Sequence, residues 1–230
     1  MKKTLLALAV VAALVPSLAM AEAGDIVVRL RATHISADES SSLGATTRAA
    51  ALGDLYGSSY GAELRVDSNT IPEIDFSYYI TKNIAAELIL AVGTRHDVWI
   101  KGNGSTGTPH STNANLGSVN LLPPTLLAQW HFNPDQTIDP YVGAGVSYVR
   151  AMDNGLNYGG DVPIRISRNS FGPAIQAGLD YNLENKWLLN VDVKKIWFDT
   201  KVEGYAGGWA KIDQLDIDPW VVSVGFGKKF

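Results

Sequence analysis

The ionisable residues with a spacing suited to chemistry come in pairs two positions apart: Arg29 with Arg31, Glu73 with Asp75, and Asp192 with Lys194, joined by Glu87 and Asp180. Such spacing puts both members of a pair on the same face of an extended chain. Two chemistries fit carboxylates and cations so arranged: acid–base catalysis, or a network of buried charges that neutralise one another. Catalysis needs a nucleophile held beside its base. No such pair stands out, and a sequence without cysteine has no thiolate to serve. The charge network is therefore the expected reading, with Arg29 and Arg31 across from Glu73 and Asp75 on a neighbouring strand. Buried charge is costly unless paired, so such a network fixes strand register and narrows the passage it lines.

Other motifs carry less. GNGSTG over 102–107 has the spacing of a dinucleotide fingerprint, but that motif needs a following helix whose amino terminus meets the pyrophosphate. Here TPHSTNANLG leads through a proline into another strand. His34, His96, His110 and His131 lack the close pairing of metal-ligand motifs and are read as solvated or lumenal. No metal, no cofactor and no enzymatic activity are expected.

The elements that must position the charged pairs are eight segments of alternating apolar and polar residues, over 25–35, 72–80, 84–93, 124–132, 141–150, 171–181, 187–200 and 220–230. In the third, Ala86, Leu88, Leu90 and Val92 oppose Ala85, Glu87, Ile89 and Ala91. In the seventh, Leu189, Val191 and Val193 oppose Asn190, Asp192 and Lys194. The connections TKN, NPDQTID and NLEN are short, whereas those after the first, third, fifth and seventh strands are long and rich in Gly, Ser and Asn. All the long loops thus gather at one end. An even number of strands of about ten residues, with tight turns at one end and longer loops at the other, is the pattern of a transmembrane barrel. The fold expected is all-β: one eight-stranded antiparallel transmembrane β-barrel over 22–230 with four long extracellular loops.

Both ends of the chain agree. Residues 1–21 combine two lysines, an apolar run and Ala19 and Ala21 at the small-residue positions of a cleavage site, the plan of a secretory signal peptide. Removing Lys2 and Lys3 from the 19 basic residues leaves 17 against 23 acidic ones, so nucleic acid is not an expected partner. The final strand, WVVSVGFGKKF, carries its apolar face to Phe230, where an aromatic suits a membrane interface. Closure of the eighth strand on the first leaves no edge unpaired in lipid.

A soluble barrel also alternates its faces, with the apolar face inward. Here the polar face carries small and charged residues suited to a narrow lumen, and the apolar face carries Tyr78, Trp130, Phe132, Tyr148, Tyr181 and Phe230 near strand ends. The membrane barrel is the reading adopted. Lys195 falls on the lipid face by strict alternation, and either snorkels to the outer interface or is turned inward by a bulge. Ile89, Leu127 and Lys194 are expected to form the lumenal constriction. Tyr56, Trp99, Tyr158, Tyr205 and Trp209 are expected to line an apolar outer mouth, or else to pack the loops. Pro123 and Pro124 lack the N–H that a ladder needs. They are expected either to open a lateral passage beside the third strand or simply to end the fourth strand at the interface.

LPPTLLAQW (122–130), PYVGAGVSY (140–148), NVDVKKIWFDT (190–200) and the terminal DPWVVSVGFGKKF, occurring in this order, resemble the OmpW family of Gram-negative outer-membrane proteins. The resemblance spans essentially the whole chain after residue 21 and is less clear over 36–69. It implies a narrow channel for passive uptake of small, often hydrophobic molecules, some members being linked to hydrocarbons and others to small polar solutes. The partners expected are outer-membrane lipid and lipopolysaccharide, small hydrophobic solutes, and, through the strand ending at Phe230, the barrel assembly machinery. The alternative function is a structural or surface-interaction barrel with a plugged lumen and partner-binding loops.

Overall fold

A computed structural model describes residues 22–43, 62–91, 94–102, 114–153, 155–159, 162–205 and 207–230. The expected signal peptide, Tyr56, His110 and nearly all of GNGSTG lie outside the described residues. Strands in chain order are β1 (Ile26–Ser36), β2 (Glu63–Val66), β3 (Asn69–Tyr79), β4 (Ile84–Ala91), β5 (Thr94–Lys101), β6 (Ala114–Leu122), β7 (Thr125–His131) and β8 (Ile138–Ala151). They continue with β9 (Leu156–Tyr158), β10 (Val162–Ile166), β11 (Asn169–Asn182), β12 (Trp187–Ile196), β13 (Asp199–Tyr205), β14 (Trp209–Asp216) and β15 (Trp220–Lys229).

Eight of these close a barrel of antiparallel neighbours in the order β1-β3-β4-β7-β8-β11-β12-β15 and back to β1. The last rung is made by Phe230, whose N–H donates to the Ile26 carbonyl at 2.8 Å and whose carbonyl accepts from the Ile26 N–H. Closure leaves the barrel no open edge, the condition for a sheet immersed in hydrocarbon. Alternation sorts the two faces as the sequence pattern requires. Leu30, Leu88, Leu126, Val146, Ile175, Val191 and Val224 point outward and are exposed, while Arg29, Asp75, Glu87, Gln129, Ser147, Asp180 and Asp192 point inward and are buried. An exposed apolar exterior around a buried polar interior is the inverse of a water-soluble barrel and fits a lipid surround. Tyr78, Trp130, Phe132, Tyr181, Trp187 and Phe230 ring the end with the short turns. Tyr148, Phe171, Trp197 and Trp220 lie toward the other.

The long connections are not simply loops. They extend the barrel outward as β2-β5-β6, which joins β8 through Leu121↔Ala151 and Leu122↔Arg150, and as a separate sheet in the order β14-β13-β10-β9. The cause is apolar burial: Leu64, Val98, Leu116, Leu156, Ile164, Val202, Ile212 and Leu215 pack into one cluster above the barrel. The seventh expected strand is likewise two, β12 and β13, broken at Trp197 and Phe198. There the Trp197 N–H donates to the Pro173 carbonyl and the Phe198 N–H to Asp218 Oδ1. Gly172 permits this crossing, since a Cβ there would sit 1.6 Å from the Trp197 carbonyl oxygen.

Candidate functional site

Starting at the end with the short turns, the lumen is filled. His131 Nδ1 lies 2.7 Å from Asp139 Oδ2, and Tyr79 Oη lies within hydrogen-bonding distance of the same ring. His131, Asp139 and Asp180 bring ligand atoms within 4.8 Å of one another. A cation already serves Asp180, however, because Arg29 grips it from Nε at 3.2 Å and Nη2 at 2.6 Å.

The expected charge network occupies the next level. Register pairs Arg29 with Asp75 and Arg31 with Glu73 across β1 and β3. Arg29 Nη1 reaches Asp75 at 3.0 Å; Arg31 reaches Glu73 at 2.8 Å, Asp75 at 3.0 Å and Glu87 at 3.3 Å. Lys194 Nζ completes the set, 2.6 Å from Asp192 and 3.3 Å from Glu73. Each of these groups is buried. Sequence reasoning missed the neutral partners that satisfy the remaining oxygens: Gln176 donates to Glu87 at 2.8 Å, Tyr141 to Asp192 at 3.1 Å and Asn190 to Asp180 at 2.7 Å. Their inward positions on alternating strands were the available signal.

Above the charges the chemistry changes. Ile89 and Leu127 join Val149, Ala174, Ile196, Phe198 and Val221 in an apolar layer. Lys194 stays with the carboxylates below it. Over that layer lies a cavity of about 1020 Å³, the part open to solvent included, walled by the barrel rim and both outer extensions. Its lining is mainly aliphatic, with Leu64, Val98, Leu121, Ile196, Val202 and Leu215 among its walls, and among the described residues it includes no Lys, Arg, Asp or Glu. The aromatic funnel expected from the sequence is not its wall: Trp99, Tyr158, Tyr205 and Trp209 are absent from the lining. Trp99 donates its indole N–H to Asp67, while Tyr205 and Trp209 meet edge to face at 5.5 Å with Arg165 stacked 4.1 Å over Trp209. Glu203, bonded by Lys201 and Arg165, is held below the usual carboxylate range. Charged side chains thus tether the outer aromatics at the surface, and the aliphatic residues between them face the cavity.

Pro123 also lines this cavity. On one side the ladder runs past the two prolines without a break, through Leu122↔Arg150, a 2.9 Å bond from the Tyr148 N–H to the Pro124 carbonyl, and Thr125↔Ser147. On the other side pairing of β4 with β7 ends at Ile89↔Thr125, although β4 continues through Leu90 and Ala91 against β3. Among the described residues, pairing is next seen as Thr94↔Leu121 between β5 and β6. Continuing that register, Leu90 and Ala91 lie across from Pro124 and Pro123, which have no N–H to give.

Lys195 has its backbone between Ile175 and Trp220 on the lipid-facing side. Its stem runs along the wall so that Nζ meets Asp38 at 3.1 Å and the Asp218 carbonyl at 2.5 Å. It snorkels to the outer rim, the first of the two orientations considered for it.

A family model described as OmpW family matches residues 22–230. Outer membrane protein W of Escherichia coli (strain K12) is 34% identical over 236 residues, covering 100% of this chain and 99% of that protein. Outer membrane protein AlkL of Ectopseudomonas oleovorans is 31% identical over 179 residues, covering 76% and 73% respectively. The crystal structure of the outer membrane protein OprG from Pseudomonas aeruginosa superposes with a TM-score of 0.71 at 26% identity, covering 91% of this chain and 97% of that one.

Proposed function

The chain belongs to the OmpW family of outer-membrane β-barrels, and on that premise we propose that it is a passive channel for small, largely apolar molecules that leave sideways into the bilayer beside Pro123 and Pro124. One observation carries this reading: the apolar cavity reaches Pro123 at the place where the β4–β7 ladder stops, while the lumen beneath it is packed with paired charge. An apolar solute going straight down would have to displace ion pairs and leave buried charges unmatched. Moving sideways, it meets only hydrocarbon. Ile89 and Leu127 form the constriction that separates the two regions, with Lys194 at the top of the charged level.

The test is uptake into lipid vesicles carrying the barrel, comparing apolar and polar solutes of similar size. Replacing both prolines, Pro123→Ala with Pro124→Ala, restores ladder donors and is expected to slow apolar uptake while sparing polar uptake. Unchanged apolar uptake in the double variant would argue for a straight path. Ile89 sits in the last β4–β7 rung and so forms the lower lip of the gap. Ile89→Ala is expected to change apolar uptake, and unchanged uptake and conductance would remove it from the gate.

The filled lower lumen also favours a second reading, a surface-interaction barrel whose outer extensions bind a partner. Single-channel conductance and vesicle uptake, both absent, would select it.

A further inference from the structure

The outer wall of the barrel bears a shallow hollow of about 400 Å³, its open side included, where the last strand closes on the first. Leu30, Trp187, Phe226 and Phe230 stand around it, with the short side chain of Val28 between them. Register places Lys228 in the same outward row, paired with Val28 on β1 and with Trp187 on β12. Trp187 and Phe230 belong to the aromatic ring at the end with the short turns, which is the periplasmic end of such a barrel. The hollow therefore opens on the leaflet made of phospholipid.

Lys228 is the cation of this hollow. Its Nζ stands 5.1 Å from the centre of the Trp187 ring and 5.8 Å from that of Phe230. Among the described residues, no hydrogen bond or ion pair holds that nitrogen. Other lysines near the membrane rims are committed: Lys195 to Asp38 and the Asp218 carbonyl, and Lys82, on a short turn, to Asp135. Ring faces attract the charge of Lys228 but leave its three N–H groups for oxygen acceptors. An apolar stem along the wall with an ammonium at headgroup level suits a phosphate. A phosphodiester lipid with no cation of its own receives the whole of that attraction, whereas the trimethylammonium of phosphatidylcholine competes for its own phosphate.

Independently of the uptake reading, we infer that this hollow is a binding site for one anionic phospholipid of the periplasmic leaflet: an acyl chain lies over Val28 between Trp187, Phe226 and Phe230, and the phosphate accepts hydrogen bonds from Lys228. The site straddles β12, β15 and β1, so the bound lipid covers the seam at which the barrel closes.

The experiment titrates the protein purified from outer membranes with phosphatidylglycerol, phosphatidylcholine or lipid A in detergent. Native mass spectrometry counts the bound lipids, and gel mobility verifies that each variant is folded. Phosphatidylglycerol is expected to fill a first site more tightly than phosphatidylcholine does. Lys228→Gln is expected to weaken that site about fivefold, the worth of one lysine at an anionic headgroup, and Lys228→Arg to retain it. Val28→Phe keeps the charge but fills the hollow, and is expected to weaken the site as well. Lys186→Gln changes a charge on the adjoining turn, outside the hollow, and is expected to leave the site as it was. Equal binding of the two phospholipids, or an unchanged first site in Lys228→Gln, would overturn the assignment. An equal loss in Lys186→Gln would replace it with the general charge of the rim, and lipid A held as tightly through Lys228 would overturn the choice of phospholipid. If Lys228→Gln does not fold, an unchanged affinity in Val28→Phe is the overturning result.

Discussion

Arg29→Met is expected to destabilise the barrel by about 3–5 kcal/mol, the usual cost of removing one partner from a buried ion pair. The guanidinium is fully buried and is held by Asp180 through two nitrogens, by Asp75 at 3.0 Å and by Ser77 at 2.7 Å. Its loss leaves two carboxylates facing each other in a region that already holds more acid than base. Among the described residues, Glu73, Asp75, Glu87, Asp180 and Asp192 make their ion pairs with Arg29, Arg31 and Lys194, and Lys229 adds one further buried cation near Asp180. Urea titration of the lipid-embedded protein, read by the different gel mobilities of folded and unfolded barrels, gives the number. Adding Asp180→Asn to the variant is expected to recover part of the loss, because the two residues act through one interaction. A loss below about 1 kcal/mol, within the reach of an ordinary neutral hydrogen bond, would mean that the network does not hold the barrel together.

Arginine introduced on the other face tests the membrane assignment. Val191 stands near the middle of β12 between Leu179 and Val224, outward and 49% exposed, and Leu88 stands similarly between Phe76 and Leu126. Val191→Arg or Leu88→Arg is expected to cost about 2–4 kcal/mol, the penalty for a guanidinium at the bilayer midplane. Gln176→Arg, on the lumenal face, is expected to cost less. Gln176 already touches Glu87 at 2.8 Å, and a cation there meets a carboxylate in surplus. The same folding titration compares the three, and equal sensitivity of both faces would contradict a barrel whose exterior is lipid-facing.

The eight barrel strands and their two faces were legible in the sequence because period two is a local property, needing no knowledge of what lies across the sheet. Neighbouring strands joined by a short turn inherit their register from that turn, but Arg29↔Asp75 and Arg31↔Glu73 join β1 and β3 across a long connection. There the match of charge to charge was itself the signal. The outer sheets were read as loops, since Gly, Ser and Asn dominate those connections and Val98, Ile100, Leu116 and Val119 form runs too short to stand alone. Only when packed against Leu156, Ile164, Val202 and Leu215 do they bury enough apolar surface to hold as strands.

What tertiary structure alone decided is which groups meet across the lumen and which surround its cavity. Arg29 and Asp180 are 151 residues apart and face each other only because the closed sheet brings opposite walls within a side chain's reach. Trp99, Tyr205 and Trp209 look in sequence like the lining of a mouth, yet polar contacts hold them at the surface and aliphatic residues take their place. The position of the prolines was visible in the sequence. That an apolar cavity reaches them follows from the packing of β5, β6, β13 and β14 together. A cavity is shaped by everything packed around it at once, and no single segment of the chain contains that information.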